Sequence, residues 1–136
     1  MLCRNQPCGR PLYTAFIEEE GMKKIEAIIR KTKFEDVKEA LLEADIEWFS
    51  YYDVRGVGKT HEERIYRGVV YDTSYIERIM IILVVRDVNV ERTVQAIINK
   101  AQTGEIGDGR IFITPVEDSI RIRTGERGDI SLYDVK

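Results

Sequence analysis

From Met22 onward the chain changes its hydrophobic rhythm several times. "KKIEAIIRK" (23–31) alternates apolar and polar positions and is rich in Ile, which predicts a strand with one buried face. "FEDVKEALLEA" (34–44) sets Phe34, Val37, Leu41 and Ala44 on one side at helical spacing, with charges opposite. "EWFSYYDVR" (47–55) is dense in aromatics and predicts a second strand. "GVGKTHEERIYRGVVYDTS" (56–74) has three glycines, six charged residues and little period, and is too long for a tight hairpin turn. "YIERIMIILVV" (75–85) predicts a central strand, and its apolar run "IMIILVV" (79–85) reads as buried on both faces. "NVERTVQAIINKA" (89–101) carries Val90, Val94, Ile97, Ile98 and Ala101 on one stripe, with Asn89 as N-cap. "RIFITPVE" (110–117) predicts a further strand whose Pro115 needs an edge or a bulge. "SIRIRTG" (119–125) reads as a short alternating strand with Arg121 and Arg123 on one face.

Strand, helix, strand, long loop, strand, helix, strand is the order of a ferredoxin-like α+β fold, with two crossover helices on one face of a four-stranded antiparallel sheet. The other sheet face also carries apolar residues, so self-association is expected.

Composition narrows the class. With 136 residues, 43% apolar and 33% charged, the chain is expected to form one soluble domain with a real core. A net charge of −3 lacks the basic surplus of nucleic-acid binders. No apolar run approaches about 18 residues, so no membrane-spanning helix is expected. Both cysteines, Cys3 and Cys8, fall in the first eight residues, which suits a reduced, cytoplasmic protein rather than a disulfide scaffold. One histidine, His61, is too few for a zinc centre, and no metal site made of protein ligands alone is expected. Residues 1–21 lack sustained period and read as an N-terminal extension, linker or added segment, leaving 22–136 as the domain.

Three stretches carry candidate chemistry. In "TGEIGDGRIF" (103–112), Gly104 suits a helix C-cap, while Gly107 and Gly109 flank Asp108 in a second turn. Such a turn either merely links helix to strand or forms a nest of amides for phosphate oxygens, with Arg110 adding charge. It is not a Walker loop, since no Gly-Lys-Ser/Thr follows. "RIRTG" (121–125) offers two guanidiniums suited to bidentate phosphate contacts, or to ion pairs with Glu117 and Asp118. "GVGKT" (56–60) repeats the pairing of glycines with a lysine and a hydroxyl. The aromatics of 48–52 could stack on a base or fill the core. "IYRGVVYD" (65–72) sets two tyrosines and an arginine at a loop tip, a composition found at protein interfaces.

The stretches "MKKIEAIIR", "YDVRGVGK", "YRGVVY" and "AQTGEIGDGRIFITPVEDSIRIRTGE" stand in the order and spacing of the PII signal-transduction family, which the chain resembles from Met22 to about Gly128. The resemblance implies a homotrimer of ferredoxin-like subunits, with ATP or ADP in each inter-subunit cleft, 2-oxoglutarate sensing and a long T-loop at 56–74 that contacts targets. It further implies that Gly107, Asp108, Gly109 and Arg110 hold nucleotide phosphates, and that Arg121 and Arg123 reach them from a neighbouring subunit. Ile28, Phe49, Ser50 and Val84 match positions around base and ribose. Gly56 and Gly58 match the T-loop's N-terminal hinge and, with Lys59, are implied to be nucleotide-binding. Arg78 matches the basic residue that pairs with 2-oxoglutarate. Magnesium would come with ATP. The target implied is an ammonium transporter or a nitrogen-metabolism enzyme, so the membrane is met only through the transporter; Arg67 is the candidate residue for its pore. Tyr71 aligns with a tyrosine that some bacterial relatives uridylylate. The chain departs from the family's pattern at four places. Thr60 stands where the magnesium-binding glutamine belongs, the loop is about one residue shorter, Ile82 replaces a frequent glutamate, and Val69–Val70 replace the Ala-Glu before Tyr71.

Two rival classes remain. An acylphosphatase-like hydrolase wants an arginine near the first strand-to-helix turn, where Arg30 lies, and an asparagine on the second strand pair, but no asparagine lies between Asn5 and Asn89. Single-stranded RNA binding on an open sheet lacks the basic and aromatic motif it needs. The expectation is a regulator, not an enzyme.

Overall fold

A computed structural model describes residues 21–57, 64–66, 69–71 and 76–133, with backbone alone for 64–66 and 69–71. Four strands make the main sheet: β1 (Met22–Arg30), β2 (Ser50–Gly56), β5 (Ile76–Arg86) and β6 (Arg110–Val116). Two helices, α1 (Phe34–Glu43) and α2 (Val90–Ala101), cross over between them. The spatial order is β2-β5-β1-β6, with every pair antiparallel. This is the expected ferredoxin-like α+β sandwich. β1 lies at its centre, with Met22 opposite both Arg86 and Val116.

The period-2 pattern of β1 sends Ile25, Ala27 and Ile29 into the core, where Ile79, Ile81, Leu83 and Val85 of β5 meet them. Phe34, Val37 and Leu41 of α1 and Ile97 and Ala101 of α2 close over that face. Each isoleucine, leucine, valine or phenylalanine among them contributes about 1.5–3 kcal/mol by leaving water, and each alanine less. The run 79–85 is therefore buried on one face only. Met80, Ile82 and Val84 point to the side that no helix covers and remain partly exposed. Pro115 sits opposite Lys23 on β6, an edge strand, where its missing N–H breaks no ladder.

Helix ends depart from the sequence reading in instructive ways. α1 stops where Asp45 turns left-handed (φ 66°), and the N–H of buried Ile46 donates back to the Leu41 carbonyl at 2.8 Å. Asn89 does not cap α2 with its side chain. It is itself helical, at the end of a 3₁₀ turn (Asp87–Asn89), and its Oδ1 accepts from Arg92 Nη2 at 2.9 Å. Its carbonyl serves the helix interior instead, accepting from the hydroxyl of Thr93, the buried polar residue among the core positions, at 2.8 Å.

Two further expectations are corrected. The segment 56–74 is not wholly without regular structure: β3 (Arg64–Tyr66) and β4 (Val69–Tyr71) pair antiparallel as a separate two-stranded ribbon. And 119–125 is no strand. A single bridge joins Ile120 to Arg127, and the chain turns between them, with the Gly125 N–H donating to the Arg121 carbonyl at 2.7 Å. Gly125 (φ 79°) permits that turn, so the Ile/Arg alternation marks a loop's two sides rather than a sheet's two faces.

Candidate functional site

After α2 the chain leaves the helix at Gln102 and returns into β6 through Thr103–Gly109. The turn is built on the Asp108 carboxylate. Oδ1 accepts from the Thr103 hydroxyl (2.6 Å) and Arg30 Nε (3.1 Å), and Oδ2 from the N–H groups of Thr103 (2.7 Å) and Gly104 (2.9 Å). The positive φ of Gly104 (90°) thus aims its amide at a side chain, and Gly104 is not the helix cap expected of it. The first amides of the predicted nest already hold an anion, and it belongs to the chain. The Thr103 hydroxyl foremost, then the Thr103 N–H, hold the Asp108 carboxyl well below the usual carboxylate range; Gly104 and Arg30 assist, and partial burial opposes them.

Two arginines brace the turn from the sheet. Arg30 and Arg78 are directly opposed in the β1–β5 register. Arg30 Nη2 donates to the Ile106 carbonyl (3.2 Å) and Arg78 Nη2 to the Gly107 carbonyl (3.1 Å), while Arg78 Nη1 donates to Glu77 O (3.0 Å). Burial first, and the neighbouring Arg30 charge second, lower the Arg78 pKa, while Asp108 counters them. A Cβ on Gly107 would stand 3.2 Å from Arg30 Nη2 and 3.4 Å from Arg78 Nη2. At Gly109 (φ 105°) a Cβ would lie 1.8 Å from the Ile28 carbonyl oxygen, so only glycine lets the turn press against β1.

The turn forms the mouth of a cleft of about 420 Å³ between α2 and β6. Ile28, Asp108, Gly109 and Arg110 border it, with Val94 and Ile97 among its apolar walls. Four predicted site residues thus meet at one cleft, and Gly107 and Arg78 adjoin it. The others do not line it. Phe49 packs against the core from the segment before β2, Ser50 opposite Ile82 opens β2, and Gly56 ends it. Val84 lies on the uncovered face of β5. Gly58, Lys59, Thr60 and Arg67 lie outside the described residues, and Tyr71 contributes backbone alone.

Arg121 and Arg123 do not lie side by side on a strand. Arg121 is turned to its own C-terminal segment: Nη1 donates to Glu126 Oε1 (2.5 Å), and Nη2 to the carbonyls of Ile130 (3.1 Å) and Tyr133 (2.5 Å). That segment, with its 3₁₀ turn Asp129–Leu132, is also tied to β5, where Arg86 Nε meets Asp129 Oδ2 at 3.1 Å and the Arg86 guanidinium lies 5.0 Å from the Tyr133 ring. Arg123 is exposed on the same turn.

Thr103 and Arg30 were not among the expected site residues. Thr103 has a readable signal, a hydroxyl directly before a glycine and five residues ahead of an aspartate. Arg30 becomes legible only through its register with Arg78. Among the described residues no group of His, Cys, Asp and Glu is gathered as metal ligands, and no helix is long and apolar enough to cross a membrane.

Against known proteins, residues 22–126 match the family model for nitrogen regulatory protein P-II. The chain is 49% identical over 109 residues to the nitrogen regulatory protein P-II of Rhodospirillum rubrum, covering 79% of this chain and 96% of that one. With the protein of that name from Nostoc punctiforme it is 50% identical over 108 residues, covering 78% and 96%. Among solved structures, Arabidopsis thaliana PII bound to citrate superposes with a TM-score of 0.68 at 36% identity, covering 87% of this chain and 98% of that one. The chain belongs to the nitrogen regulatory protein P-II family, whose members are signal transducers that regulate partner proteins of nitrogen metabolism.

Proposed function

We propose that the domain 22–136 binds ATP or ADP in clefts between the subunits of a cytoplasmic homotrimer and passes the nucleotide state to a target through the loop 56–74. The observation that carries this reading is the glycine turn itself. Asp108 and Arg30 hold it rigid, Gly109 lies flat on β1, and Arg110 stands at the mouth of an apolar cleft. Because Asp108 fills the amides of 103–104, phosphate oxygens are met by the far side of the turn, Gly107 to Arg110, and by a neighbour's Arg123. Asp108 shapes the turn rather than touching phosphate. Ile28, Phe49, Ser50 and Val84 surround base and ribose, Gly56 and Gly58 form the hinge of the loop and with Lys59 contact the nucleotide, and magnesium arrives with it. The chain acts as a regulator, not an enzyme. Its target is an ammonium transporter, with Arg67 entering the pore, or else a nitrogen-metabolism enzyme; Tyr71 is a position for modification. Signalling requires nucleotide affinity to differ between loop states, and a tenfold preference is about 1.4 kcal/mol.

A second reading, a sensor of adenylate charge or of another metabolite without a 2-oxoglutarate response, is favoured by two observations. Thr60 replaces the glutamine that would hold magnesium, and Arg78 already spends a donor on the Gly107 carbonyl. The Arabidopsis thaliana relative is bound to citrate, which supports a small carboxylate as that metabolite.

Calorimetric titration of ATP with magnesium, with and without 2-oxoglutarate, tests both. ATP should bind, and Arg110→Ala should weaken it about tenfold or more. Failure of ATP to bind overturns the nucleotide reading. Tightening of ATP by 2-oxoglutarate supports the first reading, and indifference to it the second.

A further inference from the structure

The sheet divides the aromatic run 48–52 into two sets. Phe49 packs against the core, and the Tyr51 ring leans on Phe34 with centroids 4.4 Å apart. Ser50 and Tyr52 stand opposite Ile82 and Met80, on the face that no helix covers. Trp48, two residues before Ser50, goes with this second set. At 82% exposure it is the most exposed aromatic among the described residues, and it is the only tryptophan in the chain. Its backbone is anchored on both sides. Ile46 is buried, with its N–H donating to the Leu41 carbonyl at 2.8 Å, and Phe49 is held by the core. An indole fixed in this way is a preorganised flat surface, because little entropy remains to be lost when a second flat group lies on it. Carried two residues beyond the Ser50–Ile82 pair, the register sets Trp48 level with Val84, about one strand spacing or ~4.8 Å away.

We infer that Trp48 is the stacking platform for the base of the bound nucleotide, and that it favours two-ring purines over pyrimidines. The inference rests on the reading of Phe49, Ser50 and Val84 as the surroundings of base and ribose, and it names the side chain that supplies the binding surface there. Ser50, Val84 and Ile28 offer a base no aromatic face, and the Phe49 ring is committed to the core. The indole offers one. Its π-face accepts any base, and its two fused rings overlap a purine more fully than a single-ring pyrimidine. On one chain Trp48 and the glycine turn lie towards opposite edges of the sheet, β2 and β6. The base laid on one copy's Trp48 therefore belongs to a nucleotide whose phosphates lie on another copy's turn. An exposed tryptophan that does nothing for the fold of its own chain is thereby given a ligand of matching shape.

Tryptophan fluorescence of the full chain tests it, because selective excitation of indole reports on this position alone. ATP with magnesium should quench the emission and shield it from acrylamide. Inorganic tripolyphosphate, which has no base, should do neither. By calorimetry, Trp48→Ala should bind ATP about 5- to 150-fold more weakly than the parent, Trp48→Phe should recover most of that loss, and CTP should lose less than ATP does. The melting temperature of Trp48→Ala should stay near the parent's, since so exposed a side chain supports little of the fold. ATP that binds the parent without shielding Trp48, or a Trp48→Ala protein that binds ATP as tightly as the parent or more tightly, overturns the platform and leaves the nucleotide reading standing. Equal shielding by tripolyphosphate does the same. A parent protein that binds no ATP overturns the nucleotide reading, and the platform with it.

Discussion

A methyl group on Gly109 would collide with the Ile28 carbonyl oxygen, whereas one on Gly104 would meet nothing within 4 Å, although both glycines have positive φ. The two positions therefore separate backbone strain from steric conflict. Gly104→Ala should cost about 1–2 kcal/mol, the strain alone. Gly109→Ala adds a displacement of β1 or β6 against a packed interior, for a total of about 2–5 kcal/mol. Paired thermal melts check the ranking, and equal losses would mean that the turn does not press on β1. Asp108 gives a different signature. Its folded pKa is depressed, so the stability it contributes is complete above the unfolded carboxyl value near about 3.9 and is lost as pH falls below it. Asp108→Asn should show a flatter acid limb than the parent in denaturation measured from pH 5 downward, with the gap between the two full above that limb and narrowing as pH falls through it. The aspartate was legible in the sequence as part of a glycine turn. Its role was not, because a carboxylate between two glycines gives no hint that its partners lie at 103–104 and at Arg30, 78 residues away.

At the scale of elements, periodicity carried most of the fold. β1, α1, α2 and β6 lie where alternation and helical spacing put them, and the edge position of β6 follows from Pro115. The misreadings share one cause: a local pattern was compatible with two structures and tertiary context chose. Ile120-Arg121-Ile122-Arg123 alternates like a strand, but Gly125 and the Arg121 brace bend it into a turn. Asn89 is a good cap residue, yet the preceding 3₁₀ turn places it inside the helical spiral. β3 and β4 are three residues each, too short for any period to show. The brace makes its own prediction. Arg121→Ala removes three side-chain hydrogen bonds to Glu126, Ile130 and Tyr133, so amides such as those of Gly128 and Ser131 should exchange about tenfold faster or more, while those of β1 are unchanged. Unaltered exchange at 128–131 would show that the Arg86–Asp129 pair suffices to hold the segment.

For the molecule as a whole, the sheet has one covered face and one open one. Met80, Ile82 and Phe112 on the open side leave apolar surface that a single chain does not bury. The expectation of self-association rests on that excess, because strands whose both faces are apolar need cover on both. The cleft was not readable, since it arises where α2 and β6 diverge, and no spacing in either segment encodes their separation. The central place of β1 has a consequence in time. Arg30 pairs with Arg78, so the domain's first strand cannot begin its ladder until 48 residues beyond its own end exist. At a synthesis rate of roughly 5–20 residues per second, that is a wait of roughly 2–10 s. The β6 side, where Met22 meets Val116, closes later still. For those seconds "MKKIEAIIR" is an unpaired apolar strand on a growing chain. The charges of Lys23, Lys24, Glu26 and Arg30 along it oppose pairing with nascent neighbours on the same message.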